Sequence, residues 1–246
     1  MVLCYHAVSE HWPSALAVKP EELERQVSFL LSRGWVPATF SDAVLDPPSH
    51  RTFAVTFDDA FLSVRRLGLP VLSALGVPAT VFAPTAFMEQ RQPLSWPGIE
   101  EWSEGRYRDE LQSMNWDDLG ALVAAGWEVG SHGETHAHLG QISDAELRRE
   151  LRGSRMRCNA RLGVECQGLA YPYGYADARI ARVAREAGYR TAAVLEQWRA
   201  PRTADPLLYP RTGIYRVDAM WRFRLKLSSV QHVLRATRTD TVERRP

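Results

Sequence analysis

The sequence predicts an α/β fold built on a parallel sheet. Three observations carry that expectation: short apolar runs alternate with longer helical patterns, their spacing suits repeated βα units, and polar clusters fall at strand ends. Right-handed crossovers allow either an open doubly wound sheet or a barrel. A barrel is favoured, because Asp58 and Asp59, then His132 and His136, then Pro172-Tyr173-Gly174 all follow different strand candidates, whose C-terminal ends converge on one face of a β/α barrel.

The elements follow in order. Val2 to Tyr5 is a short strand candidate opening on His6. From Pro20 to Ser32 the apolar positions Leu23, Val27, Leu30 and Leu31 recur at helical spacing, with Pro20 in the first turn and Gly34 as terminator. Phe53 to Phe57 and Ala79 to Ala83 read as strands, joined by a helical pattern through Val64, Leu67, Val71 and Leu75, which makes a βαβ unit. Helices are expected over Trp116–Ala125, Asp144–Leu162 and Asp177–Ala187, and strands over Trp127–Gly130, Gly168–Tyr171 and Tyr189–Leu195. Phe87 to Ser113 has only weak periodicity and reads as a long βα insertion over the barrel mouth, where Trp96 and Trp102 either stack on a sugar or pack the loop down.

At 246 residues, with 45% hydrophobic and 24% charged, the composition suits one globular domain, set at residues 1–228, followed by a basic C-terminal tail at 229–246. A formal charge of +1 gives no footprint for nucleic acid. Basic and apolar residues alternate from Arg222 to Lys226, and Arg235, Arg238, Arg244 and Arg245 follow, a pattern that suits weak contact with an anionic membrane surface. The odd set Cys4, Cys158 and Cys166 suits small core residues in a reducing compartment. The start lacks a basic and a long apolar region, and no run of about eighteen apolar residues occurs, so a cytoplasmic location is expected.

Thr56-Phe57-Asp58-Asp59 and Ser131-His132-Gly133-Glu134-Thr135-His136 carry the chemistry. Two histidines and one carboxylate make a ligand set for zinc or a similar divalent ion, and the second aspartate can then accept a proton from water beside the metal. His132 and His136 stand four apart, so one helical turn would bring both rings to one side. His138 reads as a loop residue rather than a fourth ligand, and Glu134 as solvent-facing.

These residues resemble the polysaccharide deacetylases, the NodB-homology group also called carbohydrate esterase family four. Besides the two clusters, Leu3-Cys4-Tyr5-His6-Ala7-Val8, Met114-Asn115-Trp116-Asp117-Asp118-Leu119 and Leu169-Ala170-Tyr171-Pro172-Tyr173-Gly174 fit it, from Val2 to Leu227. The resemblance implies a deformed (β/α)7 barrel that removes an N-acetyl group from an acetylated amino sugar in a glycan, glycolipid or precursor. It implies Asp58 as catalytic base, Asp59, His132 and His136 as ligands of one metal ion (Zn, with Co, Ni, Mn or Fe as alternatives), and the Tyr173 backbone N–H as an oxyanion donor.

Two positions depart from the family pattern. Gln167 stands where many members carry an arginine that orients the base, and Arg211 is the candidate to replace it, since a guanidinium grips a carboxylate bidentately. The late histidine that would protonate the leaving amine is absent, His232 lying in a tail that does not match, and His6 is the candidate acid or support. These departures leave a catalytically weak carbohydrate-binding relative as the alternative, though a pure binder needs no Asp58 beside Asp59. An iron oxygenase would also use two histidines and a carboxylate, but typically on a jelly-roll of short strands.

Overall fold

The computed structural model describes residues 1–195 and 205–228. The chain runs β1 (Val2–Tyr5), β2 (Ala7–Val8), β3 (Ala17–Val18), α1 (Pro20–Ser32), β4 (Val36–Ala38), α2 (Phe40–Leu45), β5 (Thr52–Phe57), α3 (Leu69–Ala74), β6 (Ala79–Ala83) and α4 (Trp116–Ala124). It continues through β7 (Glu128–Ser131), α5 (Asp144–Leu162), β8 (Gly168–Ala170), α6 (Ala178–Glu186), β9 (Thr191–Leu195), β10 (Tyr209–Gly213) and α7 (Met220–Leu227).

Seven of these strands close into a parallel barrel. The order β1-β10-β9-β8-β7-β6-β5 returns to β1 through the register Val2↔Ala54 to Tyr5↔Phe57, while β4 pairs with the first residues of β5. This is the (β/α)7 barrel expected from the resemblance.

The strands are apolar almost throughout because both faces are buried, and their period of two sorts residues into two layers. Outward positions such as Leu3, Tyr5, Val55, Phe57, Val81, Val129, Leu169 and Val194 pack under the helices in one large core. Inward positions Val2, Ala54, Phe82, Ala170 and Ala193 make a second, smaller core with Phe40 of α2, whose ring meets Phe82 edge-on at 5.4 Å. Small inward residues leave the room that Phe82 fills: a Cβ on Gly130 would lie 2.6 Å from that ring.

The same alternation carries the functional groups. Ala54 and Thr56 on β5 lead to Asp58 just past its end, Gly130 on β7 leads to His132 just past its end, and Arg211 lies within β10. Below, α2 closes the barrel's N-terminal end with polar as well as apolar groups: Glu128 accepts hydrogen bonds from Ser41 N (3.0 Å), the Ser41 hydroxyl and Thr80 Oγ1 (2.9 Å).

Helix ends match their sequence signals. Ser143 and Glu146 form a capping box that starts α5, and Gly163 ends it with a left-handed φ of 67°. Asn115 and Asp118 do the same for the start of α4. Where one helix was expected through Val64 and Leu75, a π-helical turn over Val64–Gly68 leads into α3, with Pro70 near its start removing a backbone donor.

Several elements are invisible to periodicity. β2, β3 and β4 are two or three residues long, α2 has six residues, and the barrel-closing β10 contains Pro210. The insertion between β6 and α4 is anchored rather than loose: Arg91 grips Asp118 with Nε at 2.8 Å and Nη2 at 2.7 Å, and Trp116 Nε1 donates to Glu89. The expected tail, 229–246, with Arg235, Arg238, Arg244 and Arg245, lies outside the described residues, as does His232. No helix among the described residues is long and apolar enough to cross a membrane.

Candidate active site

The two polar clusters meet at the barrel's C-terminal mouth, in a cavity of about 380 Å³. His6, Asp58, Asp59, His132, His136 and Tyr173 line it, and Trp96 and Trp102 of the insertion form one wall.

Asp59 Oδ1 lies 3.4 Å from both His132 Nε2 and His136 Nε2, and one ligand atom from each of the three residues falls within 4.8 Å of the others. Asp59 Oδ1 is buried without a hydrogen-bond partner. His132 Nδ1 faces the Ala170 carbonyl at 2.8 Å, which places the ring proton on Nδ1 and turns the Nε2 lone pair into the cluster. Converging lone pairs around an unsatisfied buried carboxylate oxygen fit a divalent cation with N and O ligands.

The convergence of the two histidines does not come from a helical turn. Residues 132–136 form an irregular loop in which Gly133 has φ 75° and His136 φ 60°. That loop is tied to α5. Glu150 accepts from Glu134 N (2.8 Å), Thr135 N (2.9 Å) and Thr135 Oγ1 (2.7 Å).

Four non-glycine residues have left-handed φ among those described: Asp59, Ala60, His136 and Tyr173. Three of them are sequence-predicted site residues and the fourth adjoins one. Such backbone costs about 1–3 kcal/mol per residue and persists only where surrounding contacts impose it.

Arg211 is fully buried and grips Asp58 bidentately, Nη1 to Oδ1 and Nη2 to Oδ2 at 2.7 Å each, with a further bond from Nη1 to Thr56 Oγ1 at 3.0 Å. The Cys4 thiol donates to Asp58 Oδ2 at 3.4 Å, and burial pushes that thiol well above its ordinary range, so it stays protonated. Burial alone would raise the Asp58 carboxyl; the Arg211 guanidinium and His132 outweigh it and hold it at about 2. Asp59 is likewise held well below the carboxylate range, against burial, by its two histidines. His132 is buried, yet Asp58 and Asp59 raise it, whereas burial lowers His136.

Other predicted residues take these places. His6 follows β1 at the cavity, its Nδ1 buried without a partner. Tyr173 has φ 59°, and its ring lies 4.7 Å from that of His136. Gln167 is remote in role from Asp58: its side chain accepts from Arg190 at 2.8 Å. Trp96 stacks on His136 at 4.1 Å and 15°, and Trp102 packs edge-on to Trp12, so both pack the loop while lining the cavity. His138 stacks on Tyr173, and Glu134 is paired with Arg157 at 2.9 Å rather than free in solvent. On α7, Lys226 bonds Asp218 and the Gly213 carbonyl, and Trp221 is exposed. All three cysteines are free and buried.

Fold and site together define a seven-stranded β/α-barrel protein with a carboxylate–histidine centre at the strand ends. The chain belongs to the polysaccharide deacetylase family, whose model matches residues 46–192. YxkH of Bacillus subtilis (strain 168) is 21% identical over 206 residues, which is 82% of this chain and 66% of that protein, just under two thirds of its length. Among solved structures, the Bacillus cereus polysaccharide deacetylase BC0361 aligns with a TM-score of 0.74 at 21% identity, covering 92% of this chain and 68% of that one. The Streptococcus pyogenes deacetylase PplD, solved in complex with acetate, gives 0.74 at 18% identity, covering 92% and 97%. At these identities the two structures share the fold.

Proposed function

We propose that residues 1–228 form a metal-dependent deacetylase that hydrolyses the N-acetyl group of an amino sugar in a glycan, glycolipid or precursor. Asp59, His132 and His136 would hold one divalent cation, zinc by the match of two imidazoles and a carboxylate. When bound, such an ion supplies Lewis acidity to the acetyl carbonyl and to a water. The observation that carries the reading is Asp58: a carboxylate beside the three-residue cluster, with its orientation imposed by Arg211.

Asp58 takes the proton of the attacking water, for which it must be ionised, as its environment makes it. The Tyr173 backbone N–H would support the developing oxyanion, from a turn in which Tyr173 and Gly174 are left-handed. His6, which lines the cavity, would protonate the departing amine or support the site. The products are acetate and a free amine.

The test is acetate release from a panel of N-acetylated sugars with zinc, cobalt or chelator. Release with metal is expected, lost in His132→Ala and reduced about 10²–10⁴-fold in Asp58→Asn, as removal of a general base does. A protein that loads metal, releases nothing from the panel and binds glycan equally well as Asp58→Asn would instead be a carbohydrate binder.

A further inference from the structure

We infer that Glu150 of helix α5 is a positioning residue for the metal site: its carboxylate shapes the loop that carries His132 and His136. This inference rests on the metal reading proposed above, and concerns a residue remote from both histidines in sequence.

Glu150 is only 4% exposed, and the groups it meets are backbone and side chain of the histidine loop. Oε2 accepts two successive backbone N–H groups, from Glu134 and Thr135, and Oε1 accepts the Thr135 hydroxyl. Two consecutive amides converge on one oxygen, and His136, the next residue along, has φ 60°. A β-carbon on Gly133 would lie 3.2 Å from Glu150 Oε2, so the glycine keeps the approach close.

A buried carboxylate is costly unless hydrogen bonds satisfy it, and here the satisfying donors belong to the loop between the two histidines. Nor does Glu150 act alone. Ser154 and Arg157, one and two turns further along α5, meet Ser131 Oγ at 2.7 Å and Glu134 at 2.9 Å. One face of α5 therefore addresses the segment Ser131–Thr135 at three points, with Glu150 reaching Thr135, the residue before His136.

A carboxylate that orients a metal ligand typically changes metal affinity about 10–100-fold when removed. Glutamine can preserve the geometry, its oxygen accepting the two amides and its NH₂ donating to the Thr135 hydroxyl. The chemistry thus separates the roles: shape of the loop is retained in Glu150→Gln and lost in Glu150→Ala.

The experiment titrates Co(II) into the metal-free full chain and follows its visible absorption, with Zn(II) competition for affinity. Glu150→Ala should bind Co(II) about 10–100-fold more weakly, with an altered spectrum, and Glu150→Gln should return both toward wild type. Thr135→Val, which removes one of the three bonds without touching the helix, should weaken Co(II) binding in the same direction and serves if Glu150→Ala does not fold. Wild-type affinity and spectrum in the folded Glu150→Ala or in Thr135→Val, even with a lowered melting temperature, would overturn the inference. Failure of the wild-type chain to bind Co(II) would instead overturn the metal reading on which it rests.

Discussion

Arg211 and Asp58 stand 153 positions apart in the chain and meet inside the barrel through two parallel N–H···O bonds of 2.7 Å. The carboxylate is neighbour to the candidate metal ligands, and the guanidinium comes from β10, the strand that closes the barrel. Every carboxylate oxygen of Asp58 is engaged by Arg211, so the plane of the base is fixed by a strand pairing rather than by a loop.

Arg211→Met should therefore damage both stability and turnover. It leaves a buried carboxylate without its partner, which costs about 3–5 kcal/mol, measurable as a lowered urea midpoint. Arg211→Lys keeps the charge but not the fork, and should restore little acetate release. Equal activity in Arg211→Lys and wild type would show that charge, not geometry, is what Asp58 needs.

Asp58 also predicts an acid limb in the stability of the metal-free protein. Its folded value of about 2 lies below the ordinary 3.8, so the folded state binds fewer protons than the unfolded state between these values. Its stabilisation is present above pH 3.8 and is lost as pH falls toward about 2. Melting temperature measured with chelator across this window should fall, and fall less steeply in Arg211→Met. Parallel curves would contradict the coupling.

At the other end of the barrel the sign is reversed. Burial raises the Glu128 carboxyl above its ordinary 4.5 despite the hydrogen bonds from Ser41 and Thr80. The folded state then holds the proton more tightly, so this group's contribution declines as pH rises from 4.5 through the raised value. Glu128→Gln keeps an acceptor for Ser41 and Thr80 and should flatten that decline. The check is the difference in melting temperature between variant and wild type at pH 4.5 and at neutral pH.

Gly130→Ala tests the inner packing. The added methyl would meet the Phe82 ring at 2.6 Å and the Gly168 carbonyl at 2.8 Å, and the backbone oxygen has little freedom to move. Overpacking of this kind costs about 1–3 kcal/mol. Pairing it with Phe82→Leu should recover part of the loss, and a neutral single variant would mean that the inner layer is looser than these distances.

The site was legible where its chemistry is contiguous. Asp58-Asp59 and His132/His136 announce themselves because rare groups cluster directly after apolar strands. Arg211 was legible only as a candidate, since Pro210 disguises β10 and nothing local reveals that its side chain turns inward. Glu150 left no signal at all: it sits among Arg148, Arg149 and Arg152 on a helix whose sequence reads as a solvated, charged face. The expectation of a helical turn for His132 and His136 failed for a similar reason. Spacing of four reports convergence in a helix, whereas here Gly133, a left-handed His136 and a distant carboxylate achieve it. Likewise α2 and β4 are too short for periodicity to show, although α2 closes the barrel floor and β4 pairs with β5.

The four left-handed residues at the mouth divide the labour of the barrel along its axis. Strands β5, β7 and β8 join two opposite things: first residues that are comfortable, in interlocked Phe, Ala and Gly, and, past their last, a backbone that would relax if released. A barrel of this kind is a spring clamp whose grip and jaws are different ends of the same strands. Change that loosens the floor is therefore felt at the mouth before the fold is lost, and selection for a more relaxed mouth would yield a sturdier protein with a blunter site.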